Sequence, residues 1–551
     1  MIMAQKELQI KTLSSLAKVF AHKIVGSTAK RADAFCGCEA AFQVALRLPM
    51  KKYCQTYYDI SVNSPLEEYI TLSRVGNVPS MLPVYPDRAD KGYITTSPAI
   101  FPDPLFPITD GKFRAAVMNW RAIWVSVNIP ENYPSGKYPV VISFSRKGET
   151  VAKAKFEIEV HSLKLPPQEL LYTQWFHCDC IADIHKVPVL SEAHWTLIYK
   201  YMKLAAEHGM NMILTPVLTP PLDTEIGTER PTVQLVEVTK NENGYTFDFS
   251  LLERFVDMAL SVSITNFEIS HFFTQWGAYC TPKVVAKVNG KKKKIFGWKT
   301  AATCDEYAEF LRTLVPELIA FFVSKGVDKK ALFFHVSDEP REEHIESYKA
   351  AAAILCPLVK ECNHMDALSA FDFYKLGLVE TPVVASNHIV PYLEADVKGL
   401  WTYYCCSQCK NTSNRFMAMP SPRTRIIGVQ MYKYDIVGFL QWGYNFYYTQ
   451  LSKRLVDPYA ETDSDAAFPS GDAFTVYPYE DGVIPSLRQK VFSDALNDMR
   501  LLKLLEAKIG KEKVVAELDR LYGEPITFET SFADESFFTK LYEMIFSYLE
   551  N

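Results

Sequence analysis

Ala331-Leu332-Phe333-Phe334-His335-Val336 runs directly into Ser337-Asp338-Glu339-Pro340. An unbroken apolar run of this length is the pattern of a strand buried on both faces. Pro340 suits the first position of a helix, because it has no N–H to leave unpaired. The junction reads as the C-terminal end of a parallel strand that delivers two adjacent carboxyls to a helix start. Taken locally, Ser337 or Asp338 could simply cap that helix while Glu339 complements its dipole. The rest of the chain decides between a cap and an acid.

Outward from this junction, strand-like runs alternate with helical periodicity from Pro167 onward. The strands are expected at Leu170 to Phe176, Asn211 to Thr215, Thr265 to Phe273, Ala331 to Val336, Val359 to His364, Pro382 to Ser386, Leu400 to Cys406 and Ile436 to Trp442. Amphipathic segments sit between them at Ser191 to His208, Ser250 to Val262, Cys304 to Ser324 and Ile345 to Leu355, and Leu487 to Ala507 follows the last strand. Eight alternating units predict a (β/α)8 TIM-like barrel. Upstream, from about Gly37 to Val160, short strands alternate with period two between Pro, Gly and Asn, as in an antiparallel β-sandwich. The fold class is therefore α/β, with the sandwich at 1–165, the barrel at 166–510 and a helical tail at 511–551. Val284 to Val288 and Lys291 to Phe296 flank Asn289-Gly290, a type I′ hairpin signal with a solvated lysine tip.

The chain of 551 residues has 48% hydrophobic and 22% charged residues, an ordinary globular composition. A net charge of -5 offers no general attraction to nucleic acid. No run of 18 apolar residues suggests a membrane span. The first 26 residues carry apolar positions at roughly helical spacing, but lysines interrupt them and no signal-peptide core emerges. Twelve cysteines without an export signal point to reduced thiols and a cytoplasmic location. Cys36/Cys38, Cys178/Cys180 and Cys405/Cys406/Cys409 lack paired C-x2-C knuckles, so neither a metal nor another cofactor is expected.

Active sites of such barrels are built where strands end. Those positions collect His177 and Asp179; His271, Gln275 and Trp276; Asp338 and Glu339; His364 and Asp366; Asn387 and His388; Tyr403 and Tyr404; and Trp442 and Asn445. Carboxylates, amides and aromatic faces suit a pyranose, through hydroxyl hydrogen bonds and ring stacking. Each histidine could equally be a satisfied buried side chain, and Trp401 reads as core.

Asp338-Glu339, Leu400-Trp401-Thr402-Tyr403-Tyr404-Cys405-Cys406, Gly438-Phe439-Leu440-Gln441-Trp442-Gly443-Tyr444-Asn445 and Gly471-Asp472-Ala473-Phe474-Thr475-Val476-Tyr477-Pro478 follow in that order. With Asp103-Pro104-Leu105 and Ser486-Leu487-Arg488, they make the chain from about 40 to 510 resemble the glycoside hydrolase family 123 catalytic domain. The resemblance implies an exo-acting β-N-acetylgalactosaminidase that retains configuration by using the substrate's own acetamide as nucleophile. It makes Glu339 the acid/base and Asp338 the carboxylate that orients the acetamide, and Tyr403 or Tyr404 is a candidate to hold the acetamide oxygen. The remaining substrate contacts are expected from His177, Asp179, His271, Trp276, Asn387, Trp442 and Asn445, with a glycan or glycoconjugate as partner. Ala473, where the family has glycine, and the degraded pattern after Arg488 are departures. Two alternatives stand beside this reading: a glycosidase with Asp366 or Glu268 as protein nucleophile, and a non-catalytic carbohydrate-binding protein.

Overall fold

The computed structural model describes residues 8–49, 56–531 and 534–550. The chain divides into two compact units: 1–167 with 413–432 and 484–551, and 168–412 with 433–483.

The first unit contains two five-stranded sheets. One is antiparallel, ordered Gln9–Ser14, Glu39–Arg47, Arg121–Asn128, Ile70–Ser80 and Ala99–Pro107. The other runs Arg31–Phe35, Glu149–His161, Gly136–Arg146, Thr56–Asn63 and Lys112–Ala115, with its first pair parallel. Period-two alternation explains the packing. Ile123, Val125 and Val127 enter the core between the sheets, where Phe42 stacks on Phe156 at 3.9 Å. Ala122 and Trp124, on the opposite face of the same strand, pack with Leu13, Leu105 and Leu487. The apolar positions at the start, spaced like a helix, instead form the strand Gln9–Ser14 because the edge of the first sheet pairs with them. The expectation for 1–7 lies outside the described residues. Helices Leu487–Ile509, Lys511–Tyr522 and Glu535–Leu549 belong to this unit, and Gly523 at φ 100° ends the second by adopting the left-handed conformation.

The second unit is built on eight parallel strands. They are β1 (Leu171–Gln174), β2 (Met212–Thr215), β3 (Asn266–Ile269), β4 (Leu332–Phe334), β5 (Asn363–Leu368), β6 (Thr381–Ala385), β7 (Trp401–Tyr403) and β8 (Gly438–Gln441). Their order, β1-β8-β7-β6-β5-β4-β3-β2, is that of a nearly closed barrel. Where β1 meets β2 there is no ladder among the described residues, and Asn211 stitches the seam. Its N–H donates to the Tyr172 carbonyl at 3.2 Å, and its Oδ1 accepts from the Tyr172 N–H at 2.8 Å. Trp401 fills the barrel interior as expected, and only glycine fits opposite it. A Cβ on Gly438 would lie 2.0 Å from the Trp401 ring.

Helices Glu192–Glu207, Ser250–Ser261, Asp305–Ser324 and Ile345–Leu355 follow the first four strands. After β5 and β6 only the five-residue Phe371–Lys375 and Val390–Glu394 occur, so the helical complement is modest. The hairpin forms at Asn289-Gly290 with φ of 50° and 76°, the positive pair that a type I′ turn needs. No helix among the described residues is long and apolar enough to cross a membrane.

Two local expectations are corrected. β5 starts four residues later than its apolar signal, because Cys356–Leu358 is a 3-10 turn and Val359 is buried in the loop after it. Pro340 does not open a helix. The chain bends through Ser337-Asp338-Glu339, and helical structure begins at Glu342 with Arg341 at its cap. Neither carboxyl is a helix cap.

Candidate active site

At the C-terminal ends of the barrel strands lies a cavity of about 290 Å³. Its walls include Trp175, His177, Asp223, Trp276, Asp338, Glu339, Arg341, Tyr403 and Trp442. Glu339 has φ 43°, in the left-handed region that costs a non-glycine residue of order 1–3 kcal/mol. This kink, rather than strand alternation, sets the directions of the two neighbouring carboxyls. The bend is pinned from the loop after β3, where the Trp276 N–H donates to the Asp338 carbonyl at 3.0 Å and the Gly277 N–H to Ser337 Oγ at 3.4 Å.

The carboxyls differ in their partners. Tyr403 donates its hydroxyl to Glu339 Oε1 at 2.6 Å. The Asp338 carboxyl has no hydrogen-bond donor among the described residues. Burial, reinforced by the neighbouring Glu339 charge, pushes Asp338 well above the usual carboxylate range, against the pull of His335. Burial and the Glu339 charge likewise raise the Tyr403 phenol, so it remains a donor.

Beneath this bend is a charged floor. Glu268 Oε1 accepts from Trp175 Nε1 at 2.6 Å and His335 Nε2 at 2.8 Å, and its Oε2 accepts from Thr173 at 2.7 Å. Asp366 accepts from the N–H groups of Val336 and Ser337 at 3.2 Å, from His335 and His364 at 3.3 Å, and from Tyr348. Burial opposes every charge here, but the hydrogen bonds prevail: Asp366 falls to about 2, His335 rises to about 9 and His364 to about 10. Both acids, the two carboxyls considered as protein nucleophiles, are fully buried at 0% exposure and do not line the cavity.

The other expected residues divide sharply. His177, Trp276, Tyr403 and Trp442 line the cavity. Trp276 stands 41% exposed there, an accessible indole face for a sugar ring. His177 is held neutral, its pKa lowered to about 3 by burial and by Arg230. Asp179 does not reach the cavity, because Arg230 engages it through two bonds of 2.6 and 2.8 Å. His271 lies in the floor, stacked 4.2 Å from His335. Tyr404 points the other way from Tyr403 and packs edge-on against Phe439 at 4.9 Å. Asn445 brackets the backbone of His177, accepting from its N–H at 2.9 Å and donating to its carbonyl at 3.0 Å. Asn387 lies on an adjoining polar cavity that also reaches Glu339 and Tyr403.

Asp223, Arg341, Cys405, Gln450 and Phe468 line the cavity without having been singled out as contacts. The motif residue Asp472 explains itself as a brace: it accepts from Trp442 Nε1 at 2.9 Å and Gln441 Nε2 at 3.2 Å. Two groups have metal-ligand geometry, His177/Asp179/Cys180 and His271/His335/Asp366. Arg230 already bonds all three members of the first. In the second, both ring nitrogens of His335 are already engaged, by Glu268 and Asp366. Neither donor set suits a metal ion.

A near-closed barrel whose strand ends hold paired carboxyls among indole rings suits a sugar-binding site. The family model for the glycoside hydrolase 123 catalytic domain matches residues 175–505, and the chain belongs to that family. Among solved structures, a family 123 glycoside hydrolase from Clostridium perfringens, studied for glycolipid glycan hydrolysis, superposes with a TM-score of 0.71 at 14% identity, over 98% of this chain and 96% of that one. It shares the fold over both units. A putative glycoside hydrolase from Bacteroides vulgatus is a more distant likeness, with a TM-score of 0.32 at 10% identity, over 87% of this chain and 79% of that one. No curated protein matches the chain significantly.

Proposed function

We propose that the protein is a retaining exo-glycosidase with a TIM-type barrel, which releases terminal β-linked N-acetylgalactosamine by a substrate-assisted mechanism. The carrying observation is the inequality of the two adjacent carboxyls in one cavity. Glu339 is oriented by Tyr403, while the half-buried Asp338 carboxyl at the cavity wall accepts from no donor among the described residues. A carboxylate partly withdrawn from water and lacking a protein donor gains when a ligand supplies one. An acetamide N–H supplies the missing donor, and the oxazolinium ion formed when the acetamide oxygen attacks the anomeric carbon supplies a positive charge.

Conventional retention places acid and nucleophile about 5 to 5.5 Å apart across the bond being cut. Adjacent residues of one kinked bend flank a bond poorly in that way. In the proposed reaction the C1–O bond breaks as the acetamide oxygen bonds to C1, and Glu339 gives its proton to the departing oxygen. Glu339 then takes a proton from water as that water opens the oxazolinium, restoring the β configuration. Asp338 holds the N–H throughout. Trp276 offers a face for the ring. The galacto configuration of the sugar follows from the family resemblance. Neither donor cluster is needed for a metal in this chemistry.

A comparison of chromogenic β-GalNAc, β-GlcNAc and β-galactoside substrates tests this directly. The expected order is GalNAc first, GlcNAc weaker and the galactoside without turnover. Equal turnover of galactoside and GalNAc would remove the acetamide from the mechanism.

A further inference from the structure

Asp223 is the cavity carboxyl that the proposed mechanism does not use. It lies on the loop after β2, and that loop is sewn to the loop after β8. Leu451 N–H donates to Asp223 Oδ2 at 3.1 Å, Ser452 Oγ to the Asp223 carbonyl at 2.6 Å, and Glu225 N–H to the Leu451 carbonyl at 3.1 Å. The Asp223 N–H is held in turn by Gln275 Oε1. Three residues of this junction are in the left-handed region: Asp223 at φ 40°, Leu451 at 59° and Ser452 at 54°. For non-glycine residues such a conformation persists only where surrounding bonds over-determine it, and it concentrates at ligand clamps. The scaffold therefore spends strain to fix one side chain at the cavity wall.

The carboxyl so fixed has one oxygen committed to Leu451, while Oδ1 has no hydrogen-bond partner among the described residues. It faces a cavity that already contains two other carboxyls, and its charge raises the pKa of Asp338. A third acid there disfavours anionic groups and offers an acceptor without a donor. Such a group reads a hydroxyl.

We propose that Asp223 is a specificity-determining residue that accepts a hydrogen bond from one free hydroxyl of the terminal sugar. This rests on the glycosidase reading above and deepens it. The consequence is discrimination against sugars whose hydroxyl at that position is missing, sulfated or acylated. A site built around a hydroxyl rejects the analogue lacking it strongly, because its own buried polar group is left unpaired. Burial raises Asp223 to about 6, so its acceptor strength should decline as the pH falls through that value.

The test pairs Asp223→Ala and Asp223→Asn with the parent aryl glycoside and its 3-, 4- and 6-deoxy analogues, using the full-length chain. A loss caused by one interaction vanishes when the other partner has already been removed. Asp223→Ala should therefore lower kcat/KM on the parent roughly ten- to a hundredfold. It should have little effect on one deoxy analogue, and Asp223→Asn should retain part of the activity. An equal penalty on all four substrates would overturn the proposal, since a merely structural loop would act that way. Labelling of Asp223 by a 2-fluoro sugar would overturn it too, and with it the substrate-assisted reading. Failure of the wild-type enzyme to cut the parent would sink the glycosidase reading itself; thiazoline inhibition with no coupling to a deoxy position would sink only the role of Asp223.

Discussion

Two pairs of acids sit one above the other in the barrel, made of the same residue types and differing in partners. In the floor, Glu268 and Asp366 have all their oxygens engaged by imidazoles, an indole, hydroxyls and backbone N–H groups. In the cavity above, among the described residues, the Asp338 carboxyl has no donor and the Glu339 carboxyl has Tyr403 alone. The floor spends its chemistry on holding the bend, because Asp366 grips the N–H groups of Val336 and Ser337 directly before Asp338. The cavity pair is under-satisfied among the described residues and sits at a strained backbone, which is why we propose that a ligand completes it. The difference in partners goes with a difference in acidity: Asp366 is held at about 2, whereas Asp338 is pushed well above the usual carboxylate range.

The largest effect should come from Glu339→Gln. General acid–base catalysis contributes about 10² to 10⁴-fold, so turnover of poor leaving groups should fall by that much while substrate binding persists. The loss should shrink for activated aryl leaving groups. Equal losses across leaving groups would take Glu339 out of the acid role and erase the contrast between the layers.

The complementary change in the floor is Asp366→Asn, which leaves His335 and His364 without their shared anion. Removing one partner of a buried ion pair costs about 3–5 kcal/mol, and chemical denaturation of the variant should show it. The pH dependence has a definite sign. The Asp366 share of stability is present above the ordinary aspartate value and is lost as pH falls toward about 2. The imidazolium shares are present below the ordinary histidine value and are lost as pH rises through about 9 and 10. A variant as stable as the wild type would show that the floor is not a scaffold.

Much of this architecture was readable as pattern. β1 to β4, β7 and β8 lie within the apolar runs that announce them, and β6 begins one residue before its run, since a strand buried on both faces must be apolar. β5 was displaced because Asn363–Leu368 buries His364 and Asp366 by charge pairing, which carries no apolar signal. His177, Trp276, Tyr403 and Trp442 were legible because the residues just beyond barrel strands face the site. Asp179, His271, Tyr404 and Asn445 share that position in sequence but turn to support, and adjacency alone could not separate Tyr403 from Tyr404. Asp223, Gln450 and Phe468 come from long, aperiodic loops, so only the tertiary fold brings them to the cavity. The one clue to Asp223 was a Pro-Pro-Leu-Asp turn after β2, too common to single it out.

The smallest effect is a gain. Asp338 takes up a proton more readily in the folded chain than in the unfolded one, so its contribution lowers stability as pH rises above the ordinary aspartate value. Burial is the main cause and persists in Glu339→Gln, but the like charge is removed. The variant should therefore be more stable than the wild type at pH 7, and this gain should be smaller at pH 4. The melting temperatures at the two pH values check this. A loss of stability at pH 7 would mean that Glu339 supports the fold more than it strains it.

We propose that Asp338 waits for the acetamide. The most direct measurement is competitive inhibition by a thiazoline mimic of the cyclised intermediate, compared between the wild type and Asp338→Asn. A charge-assisted hydrogen bond in a buried site contributes about 1.5 to 3 kcal/mol, so the wild type should bind the mimic tightly and the variant roughly ten- to a hundredfold more weakly. Unchanged inhibition in the variant, or covalent capture of a protein carboxylate by a fluorosugar, would contradict it.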